Sequence, residues 1–278
     1  MKIVDAHAHI VEPRVDYPHG YTVEDLLRDM DSVGIERAVL LQNPTFGTMN
    51  GLVRDAIQAY PGRFMGVIQV DPMDGEACAR IARYASPLQN TLKLELSEDW
   101  GWSGKYPDIS LLDDALLAIF DTVAGLGLRV IIDPGSVGGK GYQVENIAQI
   151  ARRYPRTRFL IEHLGYLTPP QRTAEGEALW RNMIALGRDH DNIFFGLSAA
   201  GSLLEEPYPC EGSQELIRRA LATVGEDKLL WGSDIPTTFK RYGYGQMIEV
   251  VTRGCAFLTQ RQKEKIMAAN AEKFFGWA

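Results

Sequence analysis

The 278-residue chain has few cysteines, no excess of basic charge and no long apolar run. Its three cysteines (Cys78, Cys210, Cys255) are odd in number and far apart. That pattern argues against a disulfide framework or a zinc ribbon and fits reduced thiols. No stretch approaches the roughly 18 consecutive apolar residues that a membrane span needs. The opening M-K-I-V-D-A-H-A-H-I has no apolar core of the secretory kind, so a cytoplasmic protein is expected. Lys and Arg number 29 against 36 Asp and Glu, a formal net charge of −7. A sequence-independent nucleic-acid binder displaces counterions with Lys and Arg, so that class of partner is not expected. No low-complexity tract or long Gly/Ser/Pro linker divides the chain, and a single domain over 1–278 is expected. Phosphate-binding fingerprints are missing too. Gly125-Leu126-Gly127 precedes an apolar run instead of following one, so it is no dinucleotide motif. The stretch 135–141 lacks the first glycine of a P-loop, because Pro134 stands there, and Gly141 replaces the Ser or Thr after Lys140. A mobile loop over the site is the reading for it.

What is present is a rhythm. Eight short runs rich in Val, Ile, Leu and Phe fall at 2–7, 37–41, 64–70, 91–96, 128–133, 158–162, 193–197 and 229–232. Near-continuous apolar runs of this length suit parallel strands buried on both faces. Helical patterns lie between them, at 52–60, 75–84, 144–154, 172–189, 213–224 and 244–257. Thr22 with Asp25, and Thr259 with Gln262, read as capping boxes. Ser110 reads as the cap of a helix carrying Leu111, Leu112, Ala115, Leu116 and Ile119, stopped by Gly125 and Gly127. Eight alternating units at this length fit an α/β fold of the (β/α)8 TIM-barrel type. Periodicity alone does not distinguish closure from an open doubly wound sheet.

In a barrel, chemistry gathers at the C-terminal ends of the strands. Polar residues collect there in this sequence: Asp5, His7 and His9; Gln42 and Asn43; Gln69 and Asp71; Lys93 and Glu95; Asp133; Glu162 and His163; Ser198; Ser233 and Asp234. Three of the five histidines of the chain fall at these ends. His7 and His9 are two apart, so on a strand they share one face. Both imidazoles can then grip one divalent ion, with a carboxylate completing the site. Ordinary hydrogen bonding of a histidine pair is the competing explanation. The joint appearance of His163 and Asp234 favours a functional site.

D-A-H-A-H at 5–9, E-H-L-G at 162–165 and G-S-D-I-P at 232–236 resemble the amidohydrolase superfamily. The N-A-E-K-F-F at 270–275 resembles its closing helix. The match is nearest to the small-barrel amidohydrolase 2 group of hydrolases, lactonases and nonoxidative decarboxylases, and it runs the length of the chain in order. The resemblance implies metal ligation by His7, His9 and Asp234, with Asp234 also taking a proton from water. It implies that His163 polarises the substrate or donates a proton. One departure is that Asp133 stands where many members place a strand 5 histidine ligand. Asp133 is therefore a candidate fourth ligand, or simply a cap on the turn before Pro134. The implied cofactor is one divalent metal, zinc or manganese, and a metal-free site is the alternative.

Other candidates are weaker. Lys93 is expected to pair with Glu95 or to bind a substrate oxygen, since a metal-bridging role fits poorly without the strand 5 histidine. Trp100 and Trp102 could wall a ligand or cap the barrel. Arg14, His19, Lys240 and Arg241 could hold a substrate carboxylate or be solvated surface charges. Hydrolysis of an ester, lactone or amide of a small organic acid is the expected reaction. Decarboxylation of an aromatic or unsaturated acid, metal-independent lactone hydrolysis and a non-catalytic binding barrel are the rivals. A homodimer is implied by resemblance only.

Overall fold

The computed structural model describes residues 1–199 and 205–277. Among the described residues eight parallel strands form one sheet in chain order. They are β1 (Val4–His9), β2 (Arg37–Leu41), β3 (Phe64–Ile68), β4 (Thr91–Glu95), β5 (Arg129–Asp133), β6 (Phe159–Ile161), β7 (Ile193–Gly196) and β8 (Leu229–Leu230). The residues just past β8 close the sheet onto β1. The Ala6 N–H donates to the Trp231 carbonyl, that of Asp234 to His7, and that of His9 to Ile235, at 3.1, 2.7 and 2.8 Å. The result is a (β/α)8 barrel, and the open sheet is excluded. No helix among the described residues is long and apolar enough to cross a membrane.

The strand register separates two cores. Leu92, Leu94, Val130, Ile132, Phe159, Ile161, Ile193 and Phe195 face the helices. Val4, Ala6, Val39, Leu41, Val67, Ile131, Leu160 and Leu230 face inward. The closing helix Asn270–Phe275 plugs the lower end of that interior with Ala271, Phe274 and Phe275. Each buried phenylalanine contributes roughly 1.5–3 kcal/mol by leaving water. The plug is also tied by polar contacts: Asn270 Nδ2 donates to the Leu229 carbonyl at 2.8 Å, and Arg129 Nε to that of Phe274 at 2.6 Å. With one end filled, the cavity opens at the other.

Both expected capping boxes form, at Thr22–Asp25 and Thr259–Gln262. The expected cap at Ser110 does not. The helix begins later, over Asp114–Gly125. Asp113 Oδ2 accepts from the Ser110 N–H at 2.8 Å and folds 110–113 into a separate turn. Gly125 is the last helical residue, and the left-handed residue beyond it is Gly127 (φ 66°). The helix expected over 244–257 is α-helical only over Tyr244–Glu249 and widens into a π turn over Val250–Gly254.

Candidate active site

The upper end of the barrel opens into a cleft. His7, His9, Lys93, Glu95, Asp133, His163 and Asp234 line it, with Arg14, Tyr17, Asn43, Phe46, Trp100, Tyr166 and Lys240. How His7 and His9 come to face it depends on an irregularity. The β1–β2 register slips between Asp5 and Ala8, so β1 carries one extra residue. Such a bulge changes which side chains point inward. Below it Val4 and Ala6 face the interior, and above it His7 and His9 do. Asp5 is turned the other way and fully buried. It accepts hydrogen bonds from the N–H of His7 and Ser233 and from Ser233 Oγ and Tyr244 Oη, at 3.0, 2.9, 2.5 and 2.5 Å. That junction fixes the seam between the two chain segments that carry His7 and Asp234.

The ring orientations are set by acceptors. His9 Nδ1 meets the Leu41 carbonyl at 3.0 Å, so that nitrogen carries the proton. His7 Nδ1 lies 2.9 Å from Glu162 Oε2, off the straight line of a hydrogen bond. A carboxylate accepts and does not donate, so His7 is protonated there as well. Both Nε2 lone pairs then turn inward. They approach to 3.1 Å, and Asp234 Oδ1 lies 3.4 Å from one and 3.1 Å from the other. Three electron-pair donors this close need a cation or a shared proton. Burial first, then the neighbouring His7 and Lys93, pushes His9 down to about 4, so its imidazole is neutral. Asp234 falls to about 2, because contact with His9, His7 and His163 outweighs burial.

The donor set fits a divalent metal. Ligand bonds of about 2.0–2.2 Å in a tetrahedron place the ligands about 3.3–3.6 Å apart. The three edges here are 3.1, 3.1 and 3.4 Å. A two-histidine, one-carboxylate face leaves the remaining position to the cleft, as catalytic sites require. His7 also approaches Glu162 and His163 closely enough for those three to form a second potential ligand group.

Asp133 takes another part. Its Oδ2 is 3.1 Å from His163 Nε2, and Oδ1 accepts from the Gly135 N–H at 3.0 Å. It belongs to neither converging donor group among the described residues. Instead it holds His163 as an imidazolium. Burial opposes that charge, but Asp133, Asp234 and Glu162 outweigh it and raise His163 to about 10. His163 Nδ1 lies 3.0 Å from Ser198 Oγ, which donates to Glu162 Oε2 at 2.6 Å. A polar chain thus runs from Asp133 through His163, Ser198 and Glu162 to His7.

The backbone is bent to allow this. His163, Leu164, Gly165 and Tyr166 are all left-handed (φ 55°, 51°, 71° and 51°), as is Asp234 (φ 60°). Side-chain-bearing residues in this region cost about 1–3 kcal/mol each and cluster at functional sites. Trp180 Nε1 and Tyr142 Oη donate to the Leu164 and Gly165 carbonyls at 2.7 and 2.9 Å and hold the bend. Two inward glycines make room. A Cβ on Gly232 would lie 2.6 Å from that of His7, and one on Gly196 2.4 Å from Glu162 Oε2.

The remaining candidates divide. Lys93 and Glu95 form a buried ion pair at 3.1 Å beneath the cleft. Trp100 lines the cleft and is half exposed, whereas Trp102 is buried, stacked on Tyr106, and does not line it. Arg241 does not line it either; its guanidinium turns to Glu205 at 3.0 Å on the surface. Asp71 pairs with Lys105, and Gln42 and Gln69 join a structural network around Asn50. The 135–141 stretch is not a cover over the cleft. It contributes no lining residue, Val137 is buried, and Gly141 abuts the Leu96 and Pro134 carbonyls.

The family model for amidohydrolases matches residues 4–277. The chain belongs to the amidohydrolase family. It is an enzyme of hydrolase type. A 4-sulfomuconolactone hydrolase from Rhizobium radiobacter is 23% identical, the alignment covering 98% of this chain and 89% of the relative. Among solved structures, a probable 2-pyrone-4,6-dicarboxylic acid hydrolase from Acinetobacter baumannii superposes with a TM-score of 0.78 at 19% identity, covering 100% of both chains. An amidohydrolase from Burkholderia multivorans with bound zinc superposes at 0.76, with 15% identity over 99% of each chain.

Proposed function

We propose that the protein is a metal-dependent lactonase acting on a small organic acid. The observation that carries this is the convergence of two imidazole Nε2 atoms and one carboxylate oxygen beside a histidine held cationic by Asp133. His7, His9 and Asp234 would hold one zinc or manganese ion. Such an ion supplies Lewis acidity towards a carbonyl oxygen and brings the pKa of water towards ~7.

The chain's own groups do the rest. Asp234, ionised above about pH 2, presents a carboxylate to accept the proton of the attacking water. His163, its two N–H groups held by Asp133 and Ser198, supplies a fixed positive charge beside the oxygen on which negative charge develops. Asp234 then returns that proton to the alkoxide that leaves the opened ring. Lys93 and Glu95 neutralise each other and keep the floor of the cleft free of net charge. The named relatives act on lactones that carry acidic groups, which supports a lactone here over an amide.

The test is a panel of lactones, esters and amides of small organic acids, followed by acid release with and without added zinc or manganese. Lactone turnover is expected, and Asp234→Asn is expected to lower kcat by about 10²–10⁴-fold. An Asp234→Asn enzyme with most of its kcat would overturn the scheme. So would carbon dioxide release from an aromatic acid without lactone turnover. Full activity after exhaustive chelation would leave hydrolysis standing and remove the metal.

A further inference from the structure

The cleft is lined by four cationic side chains, and two of them are neutralised inside it. Lys93 pairs with Glu95, and His163 with Asp133. The other two, Arg14 and Lys240, stand at the mouth on the loops that follow β1 and β8. Aromatic rings seat them. The Arg14 guanidinium lies 5.2 Å from the Phe46 ring centre and Lys240 Nζ 5.7 Å from that of Tyr17. Those two rings meet edge to face at 6.2 Å. Arg14 Nη1 donates to the Thr45 carbonyl, which fixes the fork. Its Nε is shielded from solvent and has no hydrogen-bond acceptor among the described residues. Asp16 is the carboxylate nearby, 3.7 Å from Arg14 Nη2 and largely exposed. Among the described residues no carboxylate forms an ion pair with Lys240. Phe46 also packs on His9, with ring centres 5.7 Å apart, so one ring touches both His9 and Arg14.

We propose that Arg14 and Lys240 form an acid-recognising subsite that selects substrates with a carboxylate or sulfonate on the ring, distal to the scissile bond. This rests on the lactonase reading of the same cleft and adds to it the residues that choose the substrate. Lys93 and His163 are committed to internal carboxylates, so a second acidic group meets its cations at the mouth, in Lys240 and in the part of the Arg14 guanidinium that Thr45 does not hold. A guanidinium suits an oxyanion, and the ammonium of Lys240 adds a second charge.

The probes are isophthalate, 3-sulfobenzoate and benzoate, none of which has a scissile bond. Binding to the metal-loaded protein is measured by calorimetry. The wild-type protein is expected to bind isophthalate or 3-sulfobenzoate at least about 10-fold more tightly than benzoate, the margin of one charge-assisted contact. Whichever of the two binds more tightly identifies the acid. In Arg14→Gln/Lys240→Gln that ratio is expected to fall towards one. The exposed Lys240→Gln change alone, which disturbs no buried contact, is expected to lower it at least about 3-fold. No preference in the wild type, or a ratio unchanged in the variants, overturns the subsite. Discrimination without any lactone turnover would sink the hydrolytic reading and leave the subsite. Lactone turnover with discrimination independent of Arg14 and Lys240 would sink the subsite alone.

Discussion

Changing Asp133 to Asn removes one charge and little else. The Asn amide oxygen can still accept from His163 Nε2, which now lies 3.1 Å from the carboxylate. His163 stands at about 10 against an ordinary 6.5, with burial pulling down and Asp133 the largest influence pulling up. An opposite charge at this distance moves a pKa by about 1–3 units. His163 in Asp133→Asn should therefore titrate roughly between 7 and 9, a change of about 1.4–4 kcal/mol. The direct assay is a nuclear magnetic resonance titration of the imidazole in metal-stripped protein, assigned with His163→Gln. The alkaline limb of kcat should move down by the same amount. Stability follows with a definite sign. The raised His163 contributes fully below pH 6.5 and loses its contribution as pH rises through about 10. Asp133 is depressed from 3.8, so its part is present above that value and is lost as pH falls through its lower folded value. The two shifts describe one pair. The stability gap between wild type and variant should be widest from about pH 4 to about 7 and should close as pH rises to about 10. A His163 that titrates near 6.5 in the wild type, or is unmoved by Asp133→Asn, would refute this reasoning.

Two further predictions concern the supports of the triangle. Gly232→Ala would set a Cβ 2.6 Å from the Cβ of His7 and 3.0 Å from its nitrogen, both parts of a packed strand. Overpacking of this kind costs about 1–3 kcal/mol, so the urea midpoint should fall, and an unchanged midpoint would contradict the close approach. Glu162→Gln keeps the shape but removes the carboxylate that faces His7 Nδ1. Metal affinity, read by competition with a chelating dye, should weaken about 10–100-fold, and an unaltered affinity would show that Glu162 does not orient the ring.

The barrel was legible because parallel strands buried on both faces leave continuous apolar runs, and all eight runs became strands to within a few residues. The strand-end polar residues were legible for the same reason, since each stands out against such a run. The shared face of His7 and His9 at the barrel mouth was legible from their spacing, but the backbone irregularity that turns it inward was not. That irregularity is a one-residue slip against β2, and no residue type in D-A-H-A-H announces a bulge. Glu162 was visible beside His163 but had no assigned role, because its partner His7 lies some 155 positions away in sequence. Ser198 was in the same position. Gly196 and Gly232 end apolar runs as ordinary glycines do; only the folded barrel shows that they face side chains from other strands. Arg241 and Arg14 look alike as loop arginines. Glu205 draws one to the surface, and the Thr45 carbonyl and the Phe46 ring hold the other in the cleft.

The most direct test is the metal content of untagged protein purified without chelator, measured by plasma mass spectrometry. The account predicts about one zinc or manganese per chain, lost in His7→Ala/His9→Ala. Protein that holds no metal, even after incubation with zinc and manganese, would contradict it.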